Sequence, residues 1–209
     1  MAVGVGLCPC TIVDILFVPL WGHFKSPVLC TGLFTRQTLQ DKGFTVNCVE
    51  REQATARSLW EHGPEAWIIH LAMYTGMAEL FDYCGAEFHD RRLFVLELLA
   101  WLRFRRAALA VVATCSSSQP LNLTADDPSA LTRAWMLAGA TSVIGGLWPL
   151  VDARAKEFSQ QFYHHWVSEG KPLADAMRVA MLDVREKARG DLYDWAPFIL
   201  VGSGATYLA

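Results

Sequence analysis

Three short, almost wholly apolar runs set the strongest limit on how this chain can fold. They are 67–72 (Trp-Ile-Ile-His-Leu-Ala), 107–113 (Ala-Ala-Leu-Ala-Val-Val-Ala) and 141–148 (Thr-Ser-Val-Ile-Gly-Gly-Leu-Trp). Each is of strand length and lacks the polar alternation of a half-exposed strand, so each reads as a central strand covered on both faces. Further strands are expected over 12–18, 44–49 and 195–202. Helices are expected between them. One covers 35–42, closed by Gly43, and another covers 54–62, stopped by Gly63 and Pro64. A third covers 93–104, and a fourth starts at Asp127-Pro128 and ends near Ala138 before Gly139. Val151, Ala155, Phe158, Phe162 and Trp166 then form one helical stripe, ending at Gly170. Leu173, Ala176, Met177, Ala180, Met181 and Val184 form a second. Both stripes are core-facing surfaces rather than cofactor boxes. Alternating strands and helices predict an α/β domain with a mostly parallel central sheet and helices on both faces.

At 209 residues the chain suits one domain spanning 1–209, with no internal repeat and no low-complexity linker. It is 53% hydrophobic and 19% charged, which excludes a disordered chain, and its net charge of −3 gives no nucleic-acid footprint. Arg103, Arg105 and Arg106 read as a solvated helix end. The six cysteines, Cys8, Cys10, Cys30, Cys48, Cys84 and Cys115, make no disulfide framework, and the lone Cys8-x-Cys10 pair lacks further zinc ligands. No metal or cofactor is expected. Residues 1–22 carry one charge, Asp14, and no basic residue, so they lack the positive start of a secretory signal. Asp14 and the turn at Pro19-Leu20-Trp21-Gly22 also interrupt any membrane span, so a buried first strand, no membrane contact and a cytoplasmic setting are expected.

Ligand chemistry on open parallel sheets gathers beyond the carboxyl ends of the strands. Cys115 stands there, delivered by the 107–113 run into Thr114-Cys115-Ser116-Ser117-Ser118. A thiol in such a turn can be partly exposed and backed by backbone N–H groups, as a nucleophile with an oxyanion hole requires. A buried packing cysteine is the competing reading. No histidine is a base by spacing alone. His62 ends a helix on the opposite rim, His89 lies in a polar connection, and His164 and His165 are mid-helix. His70 sits inside a strand, where it reads as a hydrogen-bonded core residue, and His23 carries no local signal.

Several segments resemble the CHAT family of caspase-like cysteine peptidases. The run 109–115 is similar to that family's strand ending in Ser-Ala-Cys. Residues 52–57 and 67–75 resemble its preceding helix and strand. Residues 132–143, Leu147-Trp148-Pro149 and 195–202 resemble the segment after the nucleophile, the Leu-Trp-Pro turn and the closing strand. The resemblance covers roughly 45–202, while 1–44 match loosely as a divergent first strand and loop. It implies a caspase-like three-layer domain with Cys115 at the nucleophile position. The family's His-x-Ala-x-His-Gly run reads here His70-Leu71-Ala72-Met73-Tyr74-Thr75, with Gly76 one place later. Tyr74 thus occupies the base position, and its phenol, with a reference pKa near 10, is no ready base at neutral pH. Thr75 replaces the glycine tied to one oxyanion donor, leaving the Gly76 backbone as a candidate. Of the acidic pair after the Trp-Pro turn, Asp152 is retained as a substrate-pocket candidate and Val151 replaces the other.

The resemblance and its departures together predict a CHAT-type domain with lost or impaired peptidase activity, acting as a protein-binding or regulatory module for a protein or peptide ligand. Two other readings stand beside it. One is an active cysteine endopeptidase using Cys115 with a different base. The other is a fragment of a longer chain with no independent role. CHAT domains commonly follow helical repeats, and none is present here, so the chain is expected to be either standalone or a piece of such a parent.

Overall fold

The computed structural model describes residues 15–19, 30–49, 51–72, 75–76, 85–105, 107, 109–112, 130–148 and 152–207. The apolar runs become neighbouring strands: β1 (Ile15–Pro19), β2 (Val46–Cys48), β3 (Ile68–Ala72), β7 (Leu109–Val112), β8 (Ser142–Gly146) and β9 (Phe198–Gly202). They lie in the order β2-β1-β3-β7-β8-β9. Every pairing is parallel except β8 with β9. The helices are α1 (Cys30–Asp41), α2 (Ala56–His62), α3 (Val95–Trp101), α4 (Ala130–Leu137), α5 (Asp152–Tyr163), α6 (Leu173–Lys187) and the short α7 (Leu192–Trp195).

Strand side chains alternate between faces, and here both faces are apolar. Ile69, Leu71, Ala110, Val112 and Val143 pack with Leu59, Leu98, Leu131 and Trp135 of α2, α3 and α4. Ile68, Leu109, Val111 and Ile144 pack on the other side with Leu39, Phe158, Phe162, Leu173 and Ala180 of α1, α5 and α6. The sheet is thus the middle of three layers, each outer layer sealed by aromatic stacking. Phe104 lies over Trp135 with centroids 5.8 Å apart, and Phe158 over Phe198 at 3.6 Å.

The structure differs from the sequence reading at several boundaries. The helix expected over 93–104 starts at Val95, because Arg92–Phe94 forms strand β6 against β5 (Gly85–Glu87). The Glu97 carboxylate accepts the Phe94 backbone N–H at 3.0 Å and so fixes the helix start there. With β4 (Thr75–Gly76), these strands make a three-stranded antiparallel sheet that the sequence did not announce. Three-residue strands are too short to show a period. Helix α1 begins at Cys30 rather than near 35, and Trp195 ends α7 rather than opening the last strand. The stripe from α5 continues to Gly170 through a π-helical turn, His164–Ser168. The expected helix start at Asp127-Pro128 lies outside the described residues. Arg103 donates to the Leu99 and Leu102 carbonyls at the end of α3, and Arg105 pairs with Glu65 at 2.5 Å.

Candidate functional site

The carboxyl ends of β3, β7 and β8 share one rim of the sheet, because these strands are neighbours and parallel. Strand β3 ends at Ala72 and β7 at Val112. Positions 74 and 115 follow them by two and three residues. Tyr74 and Cys115 themselves lie outside the described residues. Gly76 belongs to β4, where its backbone pairs with Gly85 and that of Thr75 with Ala86. Asp152 opens α5, the helix that leaves the same rim after β8.

His70 is placed by the pleat of β3. It stands opposite Phe17 of β1 and Val111 of β7, with its side chain in the α5 layer and only 1% of its surface exposed. The Tyr163 hydroxyl, from the end of α5, is hydrogen-bonded to its Nδ1 at 3.0 Å, and the two rings lie 5.8 Å apart. Burial pushes the His70 imidazole down to about 3 and drives the Tyr163 phenol far up, so both are neutral across physiological pH. Strand β3 continues for two residues beyond His70, to Ala72, so His70 lies back from the rim. The sequence reading expected a partner for His70 but did not find Tyr163. Its signal was its place beside Phe162 on the buried side of the α5 stripe.

The other described histidines lie elsewhere. His62 ends α2, which leads into the amino end of β3, and is exposed. His164 and His165 follow α5, which starts at the carboxyl rim and runs to the opposite one. His165 is held between Glu169 at 2.9 Å and Asp183 at 2.7 Å, tying the π turn to α6. His89 is exposed in the β5–β6 turn. Its backbone N–H donates to Ala54, and the neighbouring Asp90 carboxylate accepts from the Ala56 N–H at the start of α2. This stitch between the small sheet and α2 was not legible beforehand, since it joins residues far apart in the chain. Among the described residues no three His, Cys, Asp or Glu side chains converge as metal ligands, and no helix is long and apolar enough to cross a membrane.

Solved structures with the same arrangement are caspase-like cysteine peptidases. The Arg-specific cysteine proteinase gingipain R superposes with a TM-score of 0.70 at 10% identity, over 94% of this chain and 48% of that one. The Saccharomyces cerevisiae separase, in its complex with securin, superposes with a TM-score of 0.64 at 16% identity, over 92% of this chain and 12% of that one. At these identities the likeness shows the fold, which is caspase-like. Among curated proteins, tetratricopeptide repeat protein 28 of Mus musculus is 41% identical over 93 residues, 42% of this chain. Its Homo sapiens counterpart is 38% identical over 96 residues, 44% of this chain. The chain spans about 4% of the length of these relatives. The CHAT domain profile matches residues 33–203, and the chain belongs to the CHAT domain family.

Proposed function

We propose that this CHAT domain is a protein-interaction or regulatory module with impaired peptidase activity. The observation that carries the reading is the pairing of two facts. The family's base position is Tyr74, and the retained histidine of the same run, His70, is buried in a neutral contact with Tyr163. The strand register supports a shared site. Ile68 stands opposite Leu109 and Leu71 opposite Val112, so the two strands that lead toward positions 74 and 115 end side by side on one rim. In this reading Cys115 keeps the nucleophile position, Gly76 is a backbone donor at the oxyanion position and Asp152 marks the substrate side. Similarity to tetratricopeptide repeat proteins supports a longer parent in which helical repeats and this domain act together. A cytoplasmic setting is part of the same proposal.

The test is the alkylation rate of Cys115 against pH, in wild type, Cys115→Ala and the double variant Tyr74→His with Thr75→Gly. Without a base, the thiol keeps a pKa near 8.5, so only a few per cent is thiolate at pH 7. Wild type is expected to react slowly at pH 7 and to cleave peptide libraries no faster than Cys115→Ala. Loss of general-base help removes roughly 100- to 10,000-fold in rate. The double variant is expected to shift the alkylation midpoint downward. A wild-type midpoint well below 7, or cleavage abolished by Cys115→Ala, would establish the second reading, an active endopeptidase. The likeness to cysteine peptidases favours that reading.

A further inference from the structure

The sheet ends at β9, whose outer row of backbone groups has no strand beside it among the described residues. Edge strands are normally blunted by a charge, a proline or a bulge. Strand β9, Phe-Ile-Leu-Val-Gly, has no such protection. Next to it lies an open cavity of about 410 Å³ between α6, α7 and β9, walled by Met177, Met181, Leu182, Trp195 and Leu200. Methionine walls adapt to varied apolar guests. The cavity has a cationic rim. Arg178 lines it, with a side chain 65% exposed and an ion pair to Asp175 at 4.0 Å, the outer limit of such contacts. Two turns along α6, the Arg185 guanidinium lies 5.6 Å from the centre of the Trp195 ring.

We infer that this groove docks an extended peptide segment of a partner protein. The segment pairs its main chain with β9, sets a bulky apolar side chain in the cavity, and presents a carboxylate two residues away to Arg178. The spacing follows from the strand period, since residues two apart share a face. Charge complementarity selects the occupant. Strand β9 carries no acidic residue, so a second copy pairing edge to edge would bring no carboxylate from that strand to Arg178. The inference rests on the reading of the domain as a protein-binding module and gives that module its surface, at the β9 edge of the sheet, with β8 between it and β7.

The probe is a fluorescein-labelled peptide, acetyl-Thr-Val-Phe-Thr-Asp-Val-Thr-amide, followed by anisotropy with the full chain. Saturable binding is expected. It weakens at least tenfold with Arg178→Glu, with Leu182→Asp, and when the peptide's Phe becomes Ala or its Asp becomes Lys. Methylating alternate peptide nitrogens abolishes binding in one of the two frames, because one edge of the peptide faces β9. Both protein variants change exposed side chains, and circular dichroism confirms their fold. No binding at millimolar peptide would overturn the inference, as would binding indifferent to both protein variants. A dimer that dissociates in both variants would overturn it in favour of a second copy. Cleavage of the peptide, lost in Cys115→Ala, would instead overturn the module reading and leave the docking surface standing.

Discussion

His70 shows how burial can hold an ionisable side chain in one charge state. Its neighbours hold it neutral, and this has a stability signature. The folded pKa lies near 3, against 6.5 for the unfolded chain, so the stabilising difference is complete above 6.5. As pH falls below 6.5 the unfolded state takes up a proton that the folded state refuses, and stability drops by about 1.4 kcal/mol per pH unit. Urea unfolding at pH 7.5, 6.5 and 5 is expected to show a loss of about 2 kcal/mol between the last two points. His70→Gln removes that slope while keeping a group able to bond Tyr163. Glu169, held down to about 2 by Lys171 and then His165, adds its own loss only below its ordinary 4.5, outside this window. A wild-type profile as flat as the variant's would mean that His70 is not sealed in the core. The sequence indicated burial for this histidine from its strand, but its partner comes from the far end of a helix, which no local pattern encodes.

At the scale of elements, the joints carry more information than the strands and helices they connect. Gly139 follows α4 at φ 115°, and a Cβ there would sit 2.6 Å from the Phe104 carbonyl oxygen. The backbone N–H of Phe104 donates to Ala138 beside it, at 2.6 Å, so α3 and α4 end locked together. Gly43 closes α1 at φ 86°, yet nothing lies within 4 Å of its would-be Cβ. Gly139→Ala is therefore expected to cost roughly 1–3 kcal/mol beyond Gly43→Ala, which bears the left-handed backbone penalty alone, about 1 kcal/mol. Chemical denaturation of the two variants measures the difference; equal costs would show that the close approach is not enforced. Both glycines were legible in the sequence as helix stops. That one is a contact and the other a simple turn was not, because the distinction depends on a carbonyl from another element.

Across the whole molecule, the parallel sheet was legible because strands buried on both faces are almost wholly apolar, as 68–72, 109–112 and 142–146 are apart from His70 and Ser142, each of which is hydrogen-bonded. The small antiparallel sheet and its attachment to α2 were not, since their strands carry too few residues to differ from loops. Positions 74, 76, 115 and 152 enter as site candidates through family resemblance alone, and Tyr74 and Cys115 lie outside the described residues, so the layers around the rim are what the structure adds. The order of strands in space also departs from their order in time. During synthesis, β8 appears about fifty residues before β9, the strand that closes its outer edge. At 5–20 residues per second that edge stands open for roughly 3–10 s, with apolar Val143 and Ile144 on its two faces. Residues 198–202 thus end a hazard that every newly made copy passes through. Expressed without 198–209, the chain is expected to scatter light and pellet where the full chain does not; a clear, monomeric truncation would show that β8 tolerates an open flank. The ribosome's pace, as much as the finished packing, then decides how much of this protein reaches its fold.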